Sequence, residues 1–517
     1  MVLLRSIATI GGLTLVSRIF GFVRDILIAA VLGAGPVADA FFVAFKFPNL
    51  FRRLFAEGAF AAAFVPIFAG LLETEGPAKA RAFAEQSLSV LMVVLLGFVA
   101  VMQMIMPVAM YGMAPGFADN PEKFDLAVQF TRITFPYLLF ISLVSLIAGV
   151  LNSFGRFAAA AATPILLNIC LIIAALVLAP LTPTPGHALA WGVAVAGVVQ
   201  FIWLFYNCGR QGIWLRLPRP RITPQVKLLL VRAVPVAIGA GIYQINLLLD
   251  TVIASFLPSG SISYLFYADR VNQLPLGIVG VAVGTALLPL LSRQLKSGQE
   301  AGALHSQNRA LEFALLLTVP AAAALMVIAE PVISVLFERG AFGAAEAKAT
   351  SAALAAYATG LPAYVMIKAL TPGYFARGDT KTPVKVAAAT TVINLLLNLA
   401  LMGPFLHVGI AIATAVSSWM NAGLLAFILY RRGHYSIDER LKRRLPRILL
   451  ASAGMAAALF FADEALAPWF EGNTVVRIMA LAALIGAGLA TFAVLANLFG
   501  AARPRDLRSL MRRKDVS

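Results

Sequence analysis

Asp39-Ala-Phe-Phe-Val-Ala-Phe-Lys46-Phe-Pro-Asn49-Leu-Phe-Arg52-Arg53-Leu-Phe-Ala-Glu57 combines the apolar content of a membrane span with six charged residues or amides that a lipid-facing helix does not tolerate. Asp39, Lys46, Asn49, Arg53 and Glu57 follow at steps of 7, 3, 4 and 4 residues and so share one helical face, fit to line a cavity. Arg53 and Glu57 form an i, i+4 pair that can neutralise itself. Arg52 points about 100° away, with no such neighbour, and is weighted toward a bound anion. A cation at the centre of a membrane helix costs roughly 2.5 to 3.5 kcal/mol on insertion scales, so this stretch needs a water-filled cavity or an anionic partner.

The same signature recurs elsewhere. The span near 8–33 holds Ser17, Arg18, Arg24 and Asp25, the span near 263–293 holds Asp269 and Arg270 beside Tyr267, and Lys368 stands isolated near 347–376. On the first of these, Arg18 and Asp25 share a face at i+7 and invite a structural pair, whereas Arg18 and Arg24 lie about 120° apart. Those two arginines converge only if the helix bends, and Gly21, Gly11 and Gly12 are the sites where it can. Asp25, Glu57 and Asp269 are read as structural or gating partners of the cations. Guanidinium groups point to phosphate, because their planar fork donates two hydrogen bonds to it.

Working outward, 60% of the 517 residues are hydrophobic and 13% charged, and the mean hydropathy is +0.87. This excludes an ordinary soluble domain. Runs long enough to cross a bilayer recur to the end of the chain, and they must be helical because lipid offers backbone groups no other partner. The expected fold class is an all-α polytopic membrane protein with about fourteen transmembrane helices. The formal charge of +17 belongs mainly to loops on the side shared by both termini. That imbalance predicts cytoplasmic termini and argues against nucleic-acid binding. Cys170 and Cys208 lie in apolar helices and read as core thiols. The N-terminus reads as a retained first helix rather than a cleaved signal.

The chain repeats at an offset of about 220 residues, a pattern expected of parallel-repeat transporters with the site between the halves. Asp25-Ile-Leu-Ile-Ala-Ala answers Asp250-Thr-Val-Ile-Ala-Ser, Phe41-Phe-Val-Ala-Phe-Lys46 answers Leu265-Phe-Tyr-Ala-Asp-Arg270, and Thr163-Pro164 answers Thr382-Pro383. The implied organisation is an N-terminal six-helix bundle (1–208), a basic cytoplasmic linker (209–227), a second six-helix bundle (228–430), a basic loop (431–445), two extra C-terminal helices (446–499) and a basic tail (500–517). Cationic character concentrates in the first half, where Arg24, Arg52 and Arg53 have no charged counterpart in the second.

Asp250, Asn394, Asn398 and Thr414 form a weaker constellation of hard oxygen ligands suited to Na⁺ or H⁺ coupling, with helix-joining hydrogen bonds as the plainer role. The absence of any Gly-Lys dipeptide excludes a Walker A loop. The four histidines are dispersed, without a metal-ligand pattern. Non-enzymatic transport, driven by an ion gradient or the membrane potential, is what remains, with no cofactor expected.

Ser17-Arg-Ile-Phe-Gly-Phe-Val-Arg-Asp25, the run from Asp39 to Phe60, Tyr267-Ala-Asp-Arg270 and Phe375-Ala-Arg-Gly-Asp-Thr-Lys-Thr-Pro383 together closely resemble the bacterial MurJ (MviN) family. These are lipid II flippases of the multidrug/oligosaccharidyl-lipid/polysaccharide exporter superfamily. The resemblance spans essentially the whole chain. It implies alternating access that moves undecaprenyl-diphosphate-linked peptidoglycan precursor from the inner to the outer leaflet of the cytoplasmic (inner) membrane. It also implies cavity roles for Arg18, Arg24, Asp39, Arg52, Arg270 and Lys368, and a lipid-tail groove by the last two helices. Ser17, Lys46, Asn49 and Arg53 join these as substrate-binding candidates from the helical reading. Expected partners are lipid II, membrane lipids and cell-wall synthesis or division proteins. The alternatives are a flippase for another polyprenyl-diphosphate glycan, a multidrug exporter, which the positive cavity disfavours, and a wall-synthesis scaffold.

Overall fold

The computed structural model describes residues 2–53 and 60–502. Among them the secondary structure is helical, apart from an isolated bridge between Arg339 and Phe342. The helices are α1 (Val2–Leu32), α2 (Pro36–Arg52), α3 (Ala61–Thr74), α4 (Pro77–Met113), α5 (Pro121–Thr134), α6 (Tyr137–Ser153), α7 (Phe157–Ile173), α8 (Pro185–Arg210) and α9 (Pro224–Ser255). They continue with α10 (Ser261–Lys296), α11 (Glu300–Val327), α12 (Ala329–Phe337), α13 (Ala344–Ala358), α14 (Leu361–Phe375), α15 (Lys381–Arg431), α16 (Glu439–Phe470) and α17 (Thr474–Leu498).

The local chemistry explains the boundaries. Pro36, Pro77, Pro121, Pro185 and Pro224 occupy first turns, where the missing N–H has no partner to lose. Asn120, Asp438 and Asn473 cap their helices by accepting from the backbone N–H of Lys123, Leu441 and Val476 at 3.1, 2.8 and 3.0 Å. α15 is two helices joined at Leu406, whose backbone is at φ 50°. Pro404 lacks a donor there, and Gly409 lets the carbonyl of Leu401 approach to where a Cβ would sit 2.4 Å away. α1, by contrast, runs unbroken through Gly21. Gly21 lies against the Asn168 side chain of α7.

Nine helical stretches among the described residues are long and apolar enough to cross a membrane. Their outer faces carry large apolar side chains such as Val93, Val94, Leu96, Met104 and Val108 on α4, the surface that lipid requires. The chain is a multi-pass membrane protein.

It divides into two compact units. The first comprises Met1–Ser263 with the strap Arg339–Phe342. In it α1 packs on α7, α2 on α5 and α8, and α6 on α8, while α9, expected to open the second bundle, packs on α3 and α4. The rings of Phe60, Phe64, Phe68 and Phe83 stack at 5.4 to 5.6 Å between centroids. The expected linker is extended between α8 and α9 and hangs on α4, the N–H groups of Arg216 and Arg221 donating to Glu85 and Gln86 at 2.9 and 3.0 Å.

The second unit holds Tyr264–Glu338 and the chain from Gly343 onward. Val279, Val283, Leu287 and Leu291 of α10 share a core with Val365, Ala369 and Leu370 of α14 and with Leu425 and Leu429 of α15. α16 packs on α11 and α17. The basic loop expected at 431–445 is partly helical, since α16 starts at Glu439. Two of its arginines have a local use: buried Glu312 of α11, paired with Arg309 on its own helix, also pairs with Arg444 and, at 3.1 Å, Arg440.

Candidate functional site

The first cluster is built on α1. Arg24 and Asp25 are adjacent, 7% and 4% exposed. The Arg24 guanidinium donates from Nε and Nη2 to Asp25 Oδ1 at 3.0 and 2.6 Å, and from Nη1 to Asn168 Oδ1 of α7 at 2.8 Å. Asn168 also donates to the Ser17 carbonyl at 2.9 Å. Its amide lies against Gly21, where an added Cβ would be 3.5 Å away. Asn168 therefore staples α7 to about two turns of α1 while orienting Arg24, and the glycine gives it room. The structural pair that Arg18 and Asp25 allow on their shared face is not formed, and Asp25 pairs with Arg24 instead. Arg18 is exposed, with no ion pair among the described residues.

The second cluster begins at the first turn of α2. Asp39, 1% exposed, accepts four hydrogen bonds. They come from Lys123 Nζ at 2.8 Å, the Gly260 N–H at 2.8 Å, the Ser263 N–H at 3.0 Å and Ser263 Oγ at 2.7 Å. Lys123 Nζ also lies 4.2 Å from the centre of the Phe117 ring. Asp39, proposed from sequence as a substrate contact, is here the hub joining α2, α5 and the turn into α10.

Further along α2, Lys46 Nζ reaches Thr251 Oγ1 of α9 at 3.4 Å. Asn49 donates to the Phe45 carbonyl at 2.7 Å and accepts from Arg52 Nε at 3.0 Å. Arg52, read as lacking a neutralising acid on its own helix, is bonded here by a neutral amide three residues back. Behind it Phe47, Phe51, Phe98 and Phe135 interlock with centroids 5.3 to 5.9 Å apart. Arg53 is exposed, and its expected partner Glu57 lies outside the described residues.

In the second unit, the Arg270 guanidinium stands 4.7 Å over the Phe266 ring. Gln273 hydrogen-bonds Asp269 one turn away. Lys368 of α14 is exposed, its stem laid across Gly280 of α10. Three of the residues read as a cation site hydrogen-bond within α15, and one of those bonds joins its two segments. Asn394 Nδ2 donates to Ser417 Oγ at 3.3 Å, Asn398 Nδ2 to Asn394 Oδ1 at 3.1 Å, and Thr414 Oγ1 to the Ile410 carbonyl at 2.8 Å. Asp250 belongs to α9 in the first unit. Among the described residues, no group of three or more His, Cys, Asp or Glu side chains is placed to hold a metal.

Helix-face reasoning missed Lys123, which looked like a loop lysine, and Asn168, one amide in an apolar helix. The only available signal was that a lone amide or cation in such surroundings needs a partner.

Buried charged residues inside an all-helical, multi-pass chain mark a membrane protein with polar sites within its helix bundles. The fold agrees. It superposes on the solved structure titled Lipid II flippase MurJ, inward closed conformation, with a TM-score of 0.77 at 24% identity, covering 97% of this chain and 99% of that one. It also superposes on an inward-facing multidrug resistance MATE family transporter of the MOP superfamily, with a TM-score of 0.69 at 13% identity, covering 83% and 96%. The family model described as Lipid II flippase MurJ matches residues 28–480. The protein called Probable lipid II flippase MurJ in Rhizobium meliloti (strain 1021) is 47% identical over 525 aligned positions, covering 100% of this chain and 98% of its relative. The chain belongs to the MurJ family.

Proposed function

We propose that this chain is a lipid II flippase, moving the undecaprenyl-diphosphate-linked glycopeptide from the inner to the outer leaflet of the bacterial cytoplasmic membrane. The observation that carries the reading is the end-to-end match to a relative of that name at 47% identity. Both termini lie in the cytoplasm, as the distribution of Lys and Arg predicts. The protein's part is binding and conformational change rather than bond chemistry. Arginines suit the diphosphate as bidentate donors. Arg18, Arg52 and Arg270 are the ligands assigned to it, with Arg24 held in readiness by Asp25 and Asn168. The membrane potential drives the step, with Na⁺ or H⁺ as the alternative coupling ions. Outward movement of about two negative charges gains roughly 4 to 5 kcal/mol per 100 mV, inside negative.

The test is leaflet-resolved labelling of the precursor in cells depleted of their own flippase and supplied with this chain. The wild type restores outer-leaflet precursor, and Arg18→Ala, Arg52→Ala and Arg270→Ala do not, although each protein inserts. Lys substitutions restore only part, because a point charge lacks the fork. Failure of the wild type, or full activity of all three alanine variants, defeats the proposal.

A further inference from the structure

Arg270, Gln273, Gly277 and Gly280 fall within about 80° of arc on α10, forming one stripe along the helix. The stripe has a cation at each end. Arg270 supplies one, and Lys368 of α14 supplies the other by lying across Gly280. Its Cδ and Nζ are 2.8 and 2.9 Å from the point where a Cβ on residue 280 would stand. Any side chain at 280 would displace the lysine. Val279 and Val365 in the shared core hold the two helices at this approach. Lys368 is exposed and has no ion pair among the described residues. Asp269, the carboxylate beside the stripe, is hydrogen-bonded by Gln273 at the far end.

Ten residues of α-helix separate Arg270 from Gly280, about 15 Å along the axis. The two phosphorus atoms of a diphosphate share one bridging oxygen, so a single diphosphate cannot serve both cations at once. The other anions of a lipid-linked glycopeptide are the carboxylates of its peptide, since the sugars carry no comparable charge. An ammonium is also the less phosphate-specific of the two cations. Resting on the flippase reading above, we propose that Lys368 receives a peptide carboxylate of the glycopeptide while Arg270 serves the diphosphate. Gly280 is then a positioning residue that sets the ammonium's place.

The test measures binding by the full-length protein in nanodiscs to three probes: lipid II, lipid II with its peptide carboxylates amidated, and undecaprenyl diphosphate. Lys368→Met, which keeps the stem, is expected to weaken lipid II binding about tenfold, as for a lost charge-assisted hydrogen bond, and to leave the other two probes unchanged. Arg270→Ala weakens all three, and Lys368→Arg restores lipid II binding. Gly280→Val reproduces the Lys368→Met loss and adds nothing in the Lys368→Met background.

Equal weakening on all three probes by Lys368→Met makes it another phosphate ligand and overturns the proposal, as does no change on any. A further loss from Gly280→Val in the Lys368→Met background overturns the positioning role. If wild-type protein binds neither lipid II nor undecaprenyl diphosphate, the flippase reading falls along with it. A failure confined to the Lys368 pattern leaves that reading standing.

Discussion

Replacing Lys123 by methionine keeps most of the side-chain volume and removes the ammonium bonded to Asp39. The carboxylate, 1% exposed, is left with the Gly260 N–H, the Ser263 N–H and Ser263 Oγ. Removing one member of so buried a pair costs about 3 to 5 kcal/mol, because the other charge stays behind uncompensated. Asp39→Asn strands Lys123 instead and also turns an NH2 group toward donors. In the double variant no charge remains buried, so its loss falls short of the sum of the single losses by about 1 to 3 kcal/mol. Thermal unfolding of the full-length protein in detergent, followed by tryptophan fluorescence, reads the cycle. Additive losses would refute the hub. A substrate ligand behaves differently: Asp39→Asn would then abolish transport at unchanged stability, and Lys123→Met would leave transport intact.

Three further outcomes follow from other contacts. Gly340 has φ +60° and leaves no room for a Cβ, which would stand 2.2 Å from the Ala30 carbonyl. Gly340→Ala is therefore expected to cost about 1 to 3 kcal/mol from the backbone conformation alone, measured as a lowered melting temperature. Asp379, in the loop between α14 and α15, is held below the ordinary carboxylate range by hydrogen bonds from Thr382 and Arg432. A depressed carboxylate contributes stability above about pH 4 that is lost as pH falls toward its folded value, so Asp379→Asn should flatten the acid limb of the stability profile and lower the neutral plateau. Replacing Arg24, Asp25 and Asn168 together by Met, Leu and Leu removes the whole buried polar set, which is often neutral for stability. Precursor labelling should then show lost transport in a protein that still folds, whereas retained transport would make the set purely structural.

The all-helical, multi-pass fold was legible because lipid leaves the backbone one solution and a minimum apolar length. Partners were legible only at short range. Arg52 and Asn49 are i, i−3 neighbours, within reach of helix arithmetic. Arg18 and Asp25 share a face but stand about 10 Å apart along the axis, so the nearer Arg24 takes the carboxylate. Asn168 lies 144 residues from Arg24, and Asp39 draws donors from positions 123, 260 and 263. Periodicity gives the direction in which a side chain points on its own helix, but not which helix arrives to meet it.

Burial then sorts cations that the sequence presents alike. Arg24 and Lys123 are enclosed with carboxylates at 2.6 and 2.8 Å, and their desolvation is offset within the protein whether or not substrate is present. Arg18 and Lys368 are exposed, with no carboxylate at ion-pair distance among the described residues. In an apolar span that arrangement persists only where water or an anion reaches the charge. A phosphate or carboxylate arriving at either would break no internal pair, whereas one binding at Arg24 would have to compete with Asp25. The open cations are thus suited to first contact, and Arg24 to a later step in which its shell rearranges.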